Sequence, residues 1–320
     1  MSNQPISMDY TILGRTGFRV SIAGLGCGGP SRLGQATGKS EQESIAVVQD
    51  AMNMGINLID TAEVYGTEAI VGKALTGIPR DRVVLATKKL PPASDHPDPV
   101  GELRRGLEQS LRRLRTDYVD IYFLHGVRPA QYSYAYETLA PVLLQLREEG
   151  KIRALGITEA FIFDPQHKML QQALTADCWD VMMVGFSLLN PSARTRVFPQ
   201  TQQQNIGVLG MFAVRRALSQ PAHLKALLDT LAQTGQITPE VHAEKDPLGF
   251  LLADGTASSI PEAAYRFCRH EPGIHTVLSG TGNIEHLREN ITSLLKPPLP
   301  QLDLQRLERM FGSVDSVSGD

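Results

Sequence analysis

Short apolar runs alternate along this chain with longer runs in which apolar residues recur every three or four positions. The short runs are IAGLG (22–26), INLID (56–60), RVVLAT (82–87), YVDIYFLH (118–125), IRALGIT (152–158), DVMMVGF (180–186), IGVLGMF (206–212) and IHTVLSG (274–280). Most are continuously apolar rather than alternating, the pattern of parallel strands buried on both faces. Helical spacing falls between them, over 40–55, 99–114, 136–150, 164–175, 191–204, 258–270 and 283–295. The first of these segments opens on Ser40 and Glu43, the spacing of a capping box, and stops at Gly55. Pro99 opens the second, where a missing N–H costs nothing.

Eight strands alternating with helices predict an α/β fold, a (β/α)8 TIM barrel. A doubly wound sheet is the competing architecture. It would carry G-x-G-x-x-G running straight into a helix in its first strand-to-helix turn. Residues 24–38 are glycine-rich but lack that arrangement, and they read instead as a loop over the barrel mouth. Two segments lie outside the alternation. TILGRTGFRVS (11–21) reads as a β-hairpin that caps the N-terminal end of the barrel. Residues 214–257 form an insertion after the seventh strand, with 224–235 helical and 246–259 a loop. The span 1–320 thus reads as one barrel domain, with the insertion over the face where barrel active sites form.

Composition narrows the function. With 320 residues, 42% of them hydrophobic and 20% charged, the chain can bury a large core. A net charge of -3 gives no basic surface for a nucleic-acid backbone. Cys27, Cys178 and Cys268 lie far apart, without the spacing of a zinc site or a disulfide framework, so no metal is expected. Buried, reduced thiols fit a cytoplasmic protein. Residues 1–10 lack the pattern of a signal peptide, and no apolar stretch reaches the ~20 residues of a membrane span. Helix-face patterns leave the oligomeric state open.

Barrel chemistry gathers at the C-terminal ends of the strands. Asp60 ends the second strand, Lys88 the third and His125 the fourth, and Tyr65 follows Asp60 on the loop above. Each has an ordinary structural use: a strand-end Asp caps helices, a Lys is solvated, a single His packs. Placement of all of them on one rim asks for a common purpose. A phenol titrates near ~10, too high for easy proton exchange at neutral pH. A nearby ammonium favours its phenolate, and a carboxylate paired with that ammonium fixes the arrangement. Such a Tyr can protonate a carbonyl oxygen as it gains charge, and a neutral imidazole can orient the same oxygen. None of the four is a ready nucleophile, and the hydride donor must be a cofactor.

With these residues in place the chain resembles the aldo-keto reductase family. DTAEVYG (60–66), ATK (86–88), RRLRTDYVDIYFLH (112–125), EEGKIRALGIT (148–158) and HLREN (286–290) are similar to family motifs in the family's order. The resemblance implies hydride transfer between NADPH or NADH and a small aldehyde or ketone, or the matching alcohol, with a sugar among the candidates. It implies Tyr65 as proton donor, Lys88 as the residue that lowers its pKa, Asp60 as the partner of Lys88, and His125 as the group that orients the carbonyl. Lys89 is the neighbouring alternative to Lys88. It also implies that the cofactor phosphates lie near the last strand and helix, where Ser279, Gly280, Thr281, Gly282 and Asn283 offer N–H groups at a helix start. Arg288, Glu289 and Asn290 follow as contacts of the adenosine end.

The chain departs from the family pattern at several points. Thr158 and Glu159 stand where many relatives carry Ser-Asn to hold the nicotinamide carboxamide, and an ionised Glu cannot donate. Met183 stands where a Gln is expected, and Met211 with Phe212 where an aromatic stacks on the nicotinamide. His286 replaces an Arg that grips the 2′-phosphate, with Arg288, Arg215 and Arg216 as substitutes. NADP(H) is favoured over NAD(H) on the habit of the family. Two other readings belong to different classes: a nucleotide-binding regulatory barrel with negligible turnover, and a lyase or isomerase barrel that uses Lys88 as a Schiff-base amine. Residues 28–39, 126–135 and 214–257 are the loops expected to select the substrate.

Overall fold

The computed structural model describes residues 7–320, with the backbone alone for Asp254. The reading of residues 1–10 as free of a leader therefore lies largely outside the described residues. Ten strands form: β1 (Tyr10–Ile12), β2 (Arg19–Ser21), β3 (Ala23–Gly26), β4 (Leu58–Asp60), β5 (Val84–Lys89), β6 (Val119–Val127), β7 (Ile152–Glu159), β8 (Val181–Gly185), β9 (Gly207–Met211) and β10 (Thr276–Ser279). β3 to β10 close into an eight-stranded barrel in sequence order, every pair parallel, with β10 returning to β3. The (β/α)8 architecture is the one the sequence pattern predicts, and each observed strand falls within or beside its predicted segment.

Register sorts the side chains into two cores. Leu58, Val84, Ala86, Ile121, Phe123, Ala154, Val181, Met183 and Leu209 share the core inside the barrel. The alternate positions, among them Ile59, Leu85, Tyr122, Leu155 and Val208, join the larger core between barrel and helices. Gly156 leaves room for a neighbour: a Cβ there would overlap the Phe123 ring.

The hairpin forms as predicted, with β1 and β2 antiparallel and Tyr10 paired to Ser21. Gly17 turns it in the left-handed region, at φ 72°, which suits glycine. Leu13, Phe18 and Val20 belong to the core inside the barrel. Arg15 anchors the hairpin by donating to the Trp179 carbonyl at 2.7 Å, and its N–H bonds the Asn205 carbonyl at 2.6 Å.

Differences from the pattern have local causes. The segment expected as one helix over 191–204 breaks into Ala193–Arg196 and Phe198–Gln203 at Val197. Pro199 cannot continue a helix that began before it. The helix expected over 136–150 starts earlier and passes through a π turn, Ala135–Leu139, before Ala140–Glu148. Pro141 lies at the start of that last piece and lacks the N–H an α turn would use there. Glu68–Ala74 and Gln301–Phe311 are helices beyond those expected. The insertion carries a helix at Pro221–Gln233, as expected, and 246–259 holds 3-10 turns over Gly249–Gly255 rather than a plain loop. No described helix is long and apolar enough to cross a membrane.

Candidate active site

Alternation inside the barrel decides what reaches its C-terminal rim. On β4 the inward series runs Leu58 then Asp60. On β5 it runs Val84, Ala86, Lys88, and on β6 Ile121, Phe123, His125. On β7 it runs Ala154, Gly156, Thr158. Asp60, Lys88, His125 and Thr158 are therefore the uppermost inward positions of four adjacent strands. Parity also separates the two lysines: Lys88 points in with Ala86, and Lys89 points out towards the helix Pro99–Leu114.

The Lys88 ammonium is fully buried, 2.7 Å from the Asp60 carboxylate, and donates to the Thr61 carbonyl at 2.8 Å. Tyr65, on the turn Glu63–Tyr65, sets its hydroxyl 3.3 Å from Nε2 of His125, and the two rings meet edge to face. The Lys88 Nζ lies 4.8 Å from the centre of the Tyr65 ring. Gly28 walls the other side, where a Cβ would lie 2.5 Å from that ring. The Gly-rich loop over 24–38 thus lies against the catalytic Tyr candidate, as a loop over the mouth would.

Electrostatics refine the expected roles. Burial lowers the Lys88 ammonium, and Asp60 and then Tyr65 raise it more, so it stays charged. That charge, with both acceptors engaged, leaves no free amine for a Schiff base. Burial pushes the Tyr65 phenol above its ordinary 10.0; Lys88 pulls it down, as expected, but burial outweighs the pull. Lys88 thus acts in the expected direction, without bringing the phenol below its ordinary value. Burial and the Lys88 charge bring His125 down to about 3, so its imidazole is neutral near pH 7. Its Nδ1 is buried and bonded to nothing among the described residues.

A cavity of about 740 Å³ opens above this group, within the roughly 300–1,000 Å³ of small-molecule sites. Asp60, Tyr65, His125, Thr158, Met211, Phe212, Gly280 and Thr281 line it. Of the other residues the sequence singled out, Ser279, Gly282, Asn283, Arg288, Glu289 and Asn290 lie outside its lining. Ser279 accepts from the Asn290 amide at 3.0 Å and meets the Tyr265 hydroxyl at 3.1 Å. Gly282 abuts the Gly34 backbone, and the Asn283 side chain caps its own helix by accepting from the Glu285 N–H. Arg288 and Glu289 are exposed on that helix. Thr158 Oγ1 accepts from the Gly126 N–H at 2.7 Å and keeps its own O–H free to donate. Glu159 does not face the cavity with a free carboxylate: it bonds His167 Nδ1 at 2.9 Å and accepts from the Gly185 N–H at 2.7 Å.

Among the other lining residues, Phe161 and Asp320 carried no sequence signal. Phe161 lies between His167, on which it stacks, and the edge of Phe212; the Arg215 guanidinium covers Phe212 at 4.3 Å and pairs with Asp320. Ser219 and Gln220, at the start of the insertion, also line the cavity. Only the closed fold brings the last residue described, Asp320, beside β9.

Comparison with known proteins fits this geometry. The aldo/keto reductase family model matches residues 24–311, and the chain belongs to that family. It is an oxidoreductase that uses a nicotinamide cofactor. L-galactose dehydrogenase of Arabidopsis thaliana is 25% identical over 324 aligned positions, covering 97% of this chain and 95% of the relative. The holo form of an aldo-keto reductase from Bacillus halodurans superposes with a TM-score of 0.73 at 23% identity, over 96% of this chain and 98% of that one. An aldo/keto reductase from Klebsiella pneumoniae, solved in complex with NADP and acetate, gives a TM-score of 0.65 at 25% identity, over 96% and 97%.

Proposed function

We propose that the chain reduces a small aldehyde or ketone, or oxidises the matching alcohol, with Tyr65 as the proton donor. The observation that carries this is the Tyr65 hydroxyl held 3.3 Å from a neutral His125 imidazole, above a charged and buried Lys88. When bound, the reduced nicotinamide supplies the hydride. The neutral His125 donates its Nε2–H to the carbonyl oxygen and fixes its position. Tyr65 gives its proton to that oxygen as negative charge grows there. The Lys88 ammonium stabilises the phenolate left behind, and Asp60 keeps Lys88 in place.

The cavity suits the cofactor in its polarity as well as its size. Thr158 keeps a free O–H for a carboxamide oxygen, and Met183, Met211 and Leu278 offer an apolar floor for a flat ring. Phe212 is the aromatic neighbour of that floor. Ser279, Gly280, Thr281, Gly282 and Asn283 are assigned to the phosphates, and Arg288, Glu289 and Asn290 to the adenosine end. NADP(H) is favoured over NAD(H): the Klebsiella relative was solved with NADP, and Arg215 and Arg216 stand at the cavity wall. Sugars are the first substrates to try, because a full-length relative is named for L-galactose oxidation. After β9, Val214, Arg215, Arg216, Ser219 and Gln220 line the cavity and are assigned to the wall that selects the substrate. The reading gives the chain no nucleic-acid partner, on its net charge of -3, and a cytoplasmic place, on its reduced thiols.

Fluorescence titration with NADPH and NADH, followed by turnover on a panel of aldehydes and aldoses, tests this reading. Binding with tighter affinity for NADPH, and turnover of one panel member, are expected. A folded protein that binds neither dinucleotide would overturn it.

A further inference from the structure

Two consecutive lysines end β5, and they grip the same loop from opposite sides of the barrel wall. Inside, Lys88 holds Asp60 and the Thr61 carbonyl, where the loop begins. Outside, Lys89 donates to Glu63 at 2.8 Å, two residues before Tyr65. Lys89 also meets Glu102, on the helix Pro99–Leu114, at 3.0 Å. We propose that the outer contact, Lys89 to Glu63, is a positioning pair: it fixes the turn Glu63–Tyr65 so that the phenol points at the carbonyl oxygen. This inference rests on the reading of Tyr65 as proton donor.

The surroundings are shaped around that contact. Lys89 is only 8% exposed, unusual for a lysine on the helix-facing side of a strand. Its stem runs across Gly106, where a Cβ would overlap the Lys89 side chain. A glycine inside a 16-residue helix costs about 1 kcal/mol against alanine, so the passage of Lys89 gives that glycine a purpose. Burial lowers the Lys89 ammonium, and hydrogen bonds to Glu63 and then Glu102 outweigh it, so the ammonium stays charged at neutral pH. A three-residue 3-10 turn has little internal hydrogen bonding to hold its own shape. A second tie supports its far side: Glu68 accepts from Thr87 and from Arg113 at 2.7 Å. The Tyr65 ring packs beside Gly28 and His125, but its hydroxyl must stay available to substrate.

The test compares Lys89→Met, Glu63→Ala and their double variant with Glu102→Gln, which removes charge beside Lys89 but lies off the Tyr65 loop. Tyr65→Phe is the reference for complete loss of the donor. Lys89→Met and Glu63→Ala should each lower kcat on the order of tenfold, since small misplacement of a reacting group is costly. KM for the carbonyl, and NADPH affinity read by fluorescence, should stay at wild-type values. The double variant should lose less than the two single losses multiplied together, because both single variants remove the same Lys89–Glu63 contact. Glu102→Gln should keep wild-type kcat. Should Lys89→Met fail to fold, Glu63→Ala carries the test alone. Wild-type kcat in Glu63→Ala, with Tyr65→Phe inactive, would overturn the inference and leave the role of Tyr65 standing. An equal loss in Glu102→Gln, or a loss shared by kcat, KM and cofactor affinity, would overturn it too. Turnover retained by Tyr65→Phe would sink the underlying reading and the inference together.

Discussion

At the N-terminal end of the barrel, Leu13, Phe18 and Val20 close the interior with apolar side chains. At the C-terminal end, Asp60, Lys88 and His125 close it with two charges and a neutral imidazole. Asp60 and Lys88 are as buried as that apolar plug, but the physics differs. Apolar fill stabilises in proportion to the area it removes from water. A buried ion pair pays desolvation that its attraction only partly returns, and the His125 Nδ1 has no partner among the described residues at all. One end therefore supports the fold, and on the proposed reading the other holds groups arranged for proton transfer.

Substitutions can break that contrast. The largest effect is expected for Lys88→Met, which strands a buried carboxylate and should cost about 3–5 kcal/mol in denaturant unfolding, with loss of turnover. Replacing Asp60 and Lys88 together, as Asp60→Val with Lys88→Met, should recover most of that stability and none of the turnover. A double variant as unstable as the single one would mean that the pair supports the fold. Next comes Leu13→Ala at the opposite end, with a loss of roughly 2–5 kcal/mol and unchanged kcat per folded molecule.

Smaller effects sharpen the picture at the rim. Gly28→Ala puts a Cβ 2.5 Å from the Tyr65 ring. It should reduce kcat on the order of tenfold while the melting temperature moves little. The pH profile should be the mildest signature. Carbonyl reduction needs the protonated phenol, whose pKa is raised above 10.0, so the rate should be flat through neutral pH and fall only in strong alkali. Alcohol oxidation needs the deprotonated form and should rise with pH over the same range. With His125 near 3, no inflection is expected between pH 6 and 7; an inflection there in kcat would contradict its neutral role.

Much of this was legible in the sequence, because the barrel repeats one pattern. Continuous apolar runs marked the strands, and their last residues marked the rim. Alternation also distinguishes Lys88 from Lys89, since only Lys88 shares parity with the inward Ala86. Short elements were harder to see. Glu68–Ala74 holds Gly72, which reads as a helix breaker until the fold brings it against the backbone at Arg113, where a side chain would not fit. The cavity wall was the least legible part. The Phe161, Phe212 and Arg215 stack, the pairing of Arg215 with Asp320 and the tie of Glu159 to His167 join residues distant or unremarkable in sequence. Their meeting depends on tertiary closure, which no local pattern encodes.

The central claim is that Tyr65 delivers the proton, and Tyr65→Phe tests it most directly. Cofactor affinity and carbonyl turnover should be measured on the same preparation, next to wild type. The account predicts unchanged NADPH binding with turnover down by roughly 10²–10⁴-fold. Turnover near wild type with the cofactor bound would contradict it and send the search for the proton donor to another residue of the cavity.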